Sequence, residues 1–458
     1  MSETTQPPAV EAIEKPAPTL AQATDIPQLS GSELKKKNKA EKAARRAKEI
    51  AEKQGVVLAP VYLPVATPAL AQKTNQSKPE QQKKPGASST DSRSLTIRAA
   101  QKLHIPTIPD IPREEDKTVE FFRHLNRPKK TGIQDAGKEV HQAVLGVGLQ
   151  IANYTICGSC ARLVATLQAF KEVIASYKTP PGNTLTRHLT SHVLSPNIEY
   201  LASCRPLSIS MGNAIRWLKL EISKVDIDVP DTESKKRLCS MIDEYIYSRV
   251  IAANEIIANA AAEKINDGDV ILTYAKSSVI QAALVIAHKA GKKFRVIVID
   301  SRPLKEGMNL ASSLQAIGIR VRYCLLNGLV HSISDATKVF LGAHAMMSNG
   351  RLFSRVGTAI VAMEANQAAK PVLVLCETVK FTERVALDSI VLNEVAPPDE
   401  LVLAGGALER WRQVKALQLL NLMYDVTPAE YVDIVITEYG SVPPTSVPTL
   451  YRTMNETE

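Results

Sequence analysis

After Gly268 the sequence stops repeating every three or four residues and begins to alternate short apolar runs with helical stretches. Val270-Ile-Leu-Thr-Tyr274, Phe294-Arg-Val-Ile-Val-Ile-Asp300 and Pro371-Val-Leu-Val-Leu-Cys376 are three such runs, and Arg320 to Leu325 and Lys338 to Leu341 are two more. Helices are expected between them, at about Ser277 to Ala290, near Met308 to Ile317, and after Gly357. A strand apolar on both sides must be covered on both, which calls for helices above and below a parallel sheet. Right-handed crossovers make such a sheet doubly wound. The fold class is therefore α/β, with a Rossmann-like domain over residues 266–458.

Upstream the rhythm is helical from Gln134 to about Ile265. Val164, Leu167, Phe170, Val173, Ile174 and Tyr177 return at helical spacing, and Pro180-Pro181-Gly182 ends the run. A second helix is expected after Asn183, interrupted at Pro196, and a third with Pro206 at its first position. A long one begins after the cap candidate Asp231 and stops near Gly268. Residues 1–103 are rich in Pro, Ala, Gln, Ser, Thr and Lys without a sustained apolar period, and read as a disordered basic tail. In His104 to Pro112 a proline at every third position favours an extended strap, so 104–265 reads as strap plus helical domain.

Composition narrows the function classes. The 458 residues are 45% hydrophobic, enough for real cores. No apolar run approaches the roughly 20 residues of a membrane span, and the first twenty residues lack a secretory pattern, so the chain is expected in the cytosol with no membrane partner. Much of the formal charge of +9 sits in the tail. Lys35-Lys36-Lys37 and the basic residues behind it have no interleaved aromatics on which bases could stack, and no specific nucleic acid is expected. Of six cysteines only Cys157 and Cys160 are close together, and no second pair or nearby histidine completes a metal site. Inert thiols are expected, with no metal.

The turn after the first strand, Thr273-Tyr-Ala-Lys-Ser-Ser278, contains no glycine. A pyrophosphate needs close backbone approach there, so a dinucleotide is excluded, and there is no phosphate loop for a nucleoside triphosphate. No cofactor is expected. Asp300, at the end of the second strand, reads as a capping or packing residue.

Three segments are more specific: Asp300-Ser-Arg-Pro-Leu-Lys-Glu-Gly307, Gly342-Ala-His-Ala-Met-Met-Ser-Asn-Gly350 with Ser354-Arg-Val-Gly-Thr358, and Cys376-Glu-Thr-Val-Lys-Phe-Thr-Glu-Arg384. From about Pro112 to the C-terminus they resemble the superfamily of methylthioribose-1-phosphate isomerase and the alpha, beta and delta subunits of eukaryotic translation initiation factor 2B. Cys204-Arg-Pro-Leu-Ser208, Lys380-Phe381 and Tyr424-Asp-Val-Thr-Pro428, together with the long basic tail, are most similar to the delta branch. The isomerases pair a cysteine after the first strand with an aspartate in a Gly-Ala-Asp-Arg segment. Those positions fall here on Ala275 and His344, and Arg351 replaces an acidic residue of the isomerase pattern. A methyl and a lone imidazole cannot supply the two groups that an aldose-ketose interconversion needs.

The resemblance therefore implies a non-catalytic regulatory subunit of the exchange factor that loads GTP onto initiation factor 2. Its expected partners are the beta, alpha, gamma and epsilon subunits of initiation factor 2B, with catalysis in epsilon, in a decamer of two copies of each. The other partner is initiation factor 2, above all with its alpha subunit phosphorylated. A phosphoserine adds nearly two negative charges, so basic residues on the helical domain are its expected contacts: Arg162, Arg216 and Lys219, with Glu221 beside them. Arg162 stands out because a cation near a helix N-terminus needs another reason to be there. The sheet domain is expected to pair with the beta subunit, with Val435 to Leu450 as an extended arm or a plain terminal strand. An active sugar-phosphate isomerase with relocated catalytic residues is the competing reading, and an RNA-binding protein driven by the tail is a third.

Overall fold

The computed structural model describes residues 117–125 and 136–457. The expected tail and the strap at 104–112 lie outside the described residues.

The helical part consists of α1 (Gln142–Ala152), α2 (Ser159–Ser176), α3 (Ser195–Cys204), α4 (Ile209–Ser223) and α5 (Asp231–Ile246). Their apolar stripes converge on one core in which Leu163, Leu167, Phe170, Ile174, Ile222, Leu238 and Ile242 are fully buried. Pro196 does not break the chain's helical course. A turn at Leu185–His188 and a wide π-type turn at Leu189–Leu194 run straight into α3, and the proline's missing N–H falls where the wide turn hands over to α3. Nor does Pro206 open α4: Ser208 does, its hydroxyl accepting from the Met211 N–H at 3.2 Å. After another π-type stretch at Tyr247–Ala252, α6 (Ala253–Glu263) leaves this core. Its Ile257, Ala258 and Ala261 pack against the sheet instead.

The sheet has seven strands in the order β11-β10-β7-β4-β1-β2-β3. These are β1 (Val270–Tyr274), β2 (Arg295–Asp300), β3 (Arg320–Leu325), β4 (Lys338–Gly342), β7 (Val372–Leu375), β10 (Ile434–Thr437) and β11 (Gly440–Val442). All pairings are parallel except the β10–β11 hairpin. One face is covered by α6, α7 (Ser278–Lys289) and α8 (Glu306–Ala316), the other by α9 (Leu329–Asp335) and α10 (Thr358–Gln367). The doubly wound expectation holds. Of the two readings of Val435 to Leu450, the plain terminal strand holds for this hairpin and the extended arm does not; the stretch then runs into α11 (Val447–Thr457), because Pro448 sits in a first helical turn, where proline is welcome.

A second sheet, β8-β5-β6-β9, was not expected. Its strands, β5 (Ala345–Met347), β6 (Leu352–Arg355), β8 (Phe381–Thr382) and β9 (Tyr424–Thr427), are too short to show a period. Residues 383–423 form a long excursion between β8 and β9. It is pinned by Lys117, whose Nζ donates to the carbonyls of Trp411, Val414 and Leu417, and by Arg351 and Asn349, which donate to Leu387 and Ala386.

Candidate functional site

The ends of β1 and β4 meet at the carboxyl edge of the sheet, where open α/β folds place their chemistry. Ala275 follows β1 directly. It is buried in a left-handed conformation with φ of 52°, and its N–H donates to the Ile299 carbonyl at 2.8 Å. His344 follows β4, its ring lying between Phe353 and Tyr424 at centroid distances of 5.7 and 4.3 Å. Enclosure by protein, then Arg162, Arg205, Lys380 and Arg355, depress the imidazole well below its ordinary pKa. At neutral pH it is uncharged, and the alanine side chain that follows β1 carries no group that could exchange a proton.

Around this pair the structure places ion pairs rather than open catalytic groups. Arg205 is buried, with Nε 2.5 Å from Glu394 Oε1, Nη2 donating to the Tyr424 hydroxyl at 3.0 Å, and its guanidinium 4.5 Å above the Tyr154 ring. Arg355 pairs with Glu306 at 3.0 Å. Lys380 meets Glu377 at 2.6 Å, both out of water. The nearby thiols are no nucleophiles: burial pushes Cys160 up to about 12 and Cys376 well above its ordinary value. Among the described residues, no cluster of three or more His, Cys, Asp or Glu could hold a metal ion. Asp300 is fully buried, accepting from Ser301 N, Met308 N and the Tyr323 hydroxyl, and so caps the start of α8.

The basic residues expected to face a phosphorylated partner do not all come together. Arg216 and Glu221 line an open groove of about 410 Å³ with Trp217, Lys224, Arg249 and Tyr451. Trp217 stacks on Tyr245 at 4.1 Å within its wall, and Glu221 pairs with Lys224 at 2.8 Å. Asn213 ties this wall to the sheet domain by donating to the carbonyls of Val379 and Phe381 at 2.8 and 2.9 Å. Lys219, on the same helix, is half-buried off the groove.

Arg162 differs most from expectation: it is 0% exposed and takes no part in the groove. Its Nη2 donates to the Pro206 carbonyl just before α4, while Nε and Nη1 have no hydrogen-bond partner. Burial, then Arg205, lower its pKa. Its position in the first turn of α2 turns the side chain into the core, so from here it cannot reach a partner's phosphate. Sequence reasoning also missed Glu394, Trp217, Arg249 and Tyr451. Arg205 lies in the Cys204-Arg-Pro-Leu-Ser208 segment, but nothing near Glu394 marks it as its counter-ion.

The model of the initiation factor 2 subunit family matches residues 155–444. Translation initiation factor eIF2B subunit delta of Schizosaccharomyces pombe is 44% identical over 433 residues, covering 93% of this chain and 90% of that protein. Ribose 1,5-bisphosphate isomerase of Pyrococcus furiosus is 30% identical over 309 residues, 67% of this chain and 93% of that one. Among solved structures, the tetrameric eIF2B-beta2-delta2 complex from C. thermophilum aligns with a TM-score of 0.64 at 42% identity, over 70% of this chain and 98% of that chain.

Proposed function

Because this chain belongs to the initiation factor 2 subunit family, we propose that it is a delta-type regulatory subunit of the exchange factor for initiation factor 2. It is not the catalytic subunit. One observation carries this reading: where the isomerases of the superfamily hold a thiol and a carboxylate, Ala275 and an uncharged His344 follow the neighbouring strands β1 and β4, beside buried ion pairs. Its partners are the beta, alpha, gamma and epsilon subunits and initiation factor 2, and its place of action is the cytosol. Native mass spectrometry of the endogenous complex tests the assembly; a mass that contains no beta subunit would refute it.

In this reading residues 104–265 face the GTPase and 266–458 pair with the beta subunit. The groove on α4 supports contact with the phosphorylated alpha subunit of initiation factor 2, since it combines exposed Arg216 with an aromatic wall. Arg216→Glu is expected to weaken binding of the phosphorylated form more than of the unmodified one. Arg162 acts behind the surface by holding the Pro206 carbonyl, and Arg162→Ala is expected to weaken both forms alike. The isomerase relative keeps a second reading in view. Turnover of a ribose phosphate by the purified chain would establish it, and no turnover is expected.

A further inference from the structure

The amino ends of β1, β2 and β3 lie at the sheet edge opposite Ala275 and His344. There the parallel register sets Arg295 beside Arg320, and Ile297 beside Arg322. Register partners and residues two apart share a face, so all three arginines stand on one side of the sheet. Adjacent strands are only about 4.8 Å apart. Like charges placed side by side at that spacing repel, and something must answer them.

The chain itself answers only part of this charge. Asp335 pairs with Arg322 at 2.6 Å, and its carboxyl is held below the ordinary range by Arg322 and further by Arg295. Among the described residues, the guanidinium groups of Arg295 and Arg320 make no hydrogen bond or ion pair. A second carboxylate on this edge, Asp269, is already taken by Lys338 at 2.6 Å and by the Thr337 hydroxyl at 2.8 Å. Between the arginines lies a recess of about 110 Å³ floored by Val270 and Ile297.

We propose that this recess binds the dianionic phosphate group of a small phosphate ester, gripped by Arg295 and Arg320 and flanked by Arg322. Three guanidinium groups against one carboxylate leave two positive charges, which one dianion neutralises. Planar guanidinium forks match phosphate oxygens, and the apolar floor holds no acceptor to compete for the guanidinium donors. The recess is small and open to solvent, and its polar groups are the three arginines and Asp335, so recognition is of the phosphate rather than of a particular carbon skeleton.

Calorimetric titration of the full chain at low salt tests the site, with inorganic phosphate and glycerol phosphate as parallel probes. Both are expected to bind, and Arg295→Gln with Arg320→Gln to weaken them about tenfold or more. Asp335→Asn, which removes the competing carboxylate, is expected to tighten them. Melting curves verify that each variant folds, and Arg320→Gln alone serves if the double variant does not. Absence of binding at millimolar phosphate overturns the proposal, as does binding that the arginine variants leave unchanged. Binding of inorganic phosphate without the ester overturns the assignment to an ester.

Discussion

Glu394 closes on Arg205 at 2.5 Å with both side chains buried, joining the excursion after β8 to the end of α3. A buried pair contributes little over an apolar replacement, but removing one member leaves the other charged and unanswered. Glu394→Ala or Arg205→Ala is expected to lower unfolding free energy by about 3–5 kcal/mol. The double variant Arg205→Met with Glu394→Leu should lose far less than the two single losses added. Urea denaturation of all of these variants measures it, and simple additivity would show that the two groups do not act as a pair.

Lys380 and Glu377 form the second buried pair, at 2.6 Å. Glu377 is fully enclosed, so Lys380→Met leaves a buried carboxylate without its cation. A loss of about 3 kcal/mol or more in unfolding free energy is expected from urea denaturation. A loss below about 1 kcal/mol would show that this pair contributes no more than an exposed one.

Asp425 has its carboxyl raised from 3.8 to about 7, mainly by burial. Its Oδ2 accepts from Gly357 N and Ala359 N at the start of α10, which favours the charged form, but Oδ1 has no partner. Arg355 is the facing cation and only partly offsets the burial. A folded pKa above the unfolded one means the native state holds the extra proton. This contribution is therefore complete below about pH 4 and is lost as pH rises toward 7, by up to about 4 kcal/mol. Asp425→Asn keeps an acceptor without titrating, so the stability difference between variant and parent should shift in the variant's favour over this interval. A difference constant with pH would argue against the raised value.

Gly357 adopts φ of 106°, and a Cβ there would strike the Tyr274 hydroxyl, which itself donates to the Val356 carbonyl. Gly357→Ala is expected to destabilise by about 2 kcal/mol or more, since strain and overlap add. Gly212, inside α4, would meet nothing within 4 Å, so Gly212→Ala is expected to be stabilising by about 0.5–1 kcal/mol. Thermal melts of both variants decide it; similar shifts for the two would remove the geometric distinction.

Much of this architecture is legible in the sequence because burial on two faces writes itself as continuous apolar runs, as in β1 and β7. Asp300 was readable too, since a capping role needs only its position at a strand end. The second sheet was not, for two- to four-residue strands leave no rhythm. The site was harder still. Ala275 and His344 could be placed by motif, but Glu394 answers Arg205 across 189 positions, and no local pattern records such a pairing. Arg162 was misjudged because a residue near a helix start can turn inward as readily as outward, and the choice depends on helices elsewhere in the chain.

The excursion over 383–423 leaves and rejoins the same small sheet, and Lys117 holds its later part, at 411–417, through backbone carbonyls. Carbonyl anchors are indifferent to which amino acid supplies them, and lengthening a loop adds little closure entropy. Its water-facing positions beyond Glu394 can therefore be exchanged or extended between lineages, while the Arg205 pair and the bracketing strands keep the stretch in place.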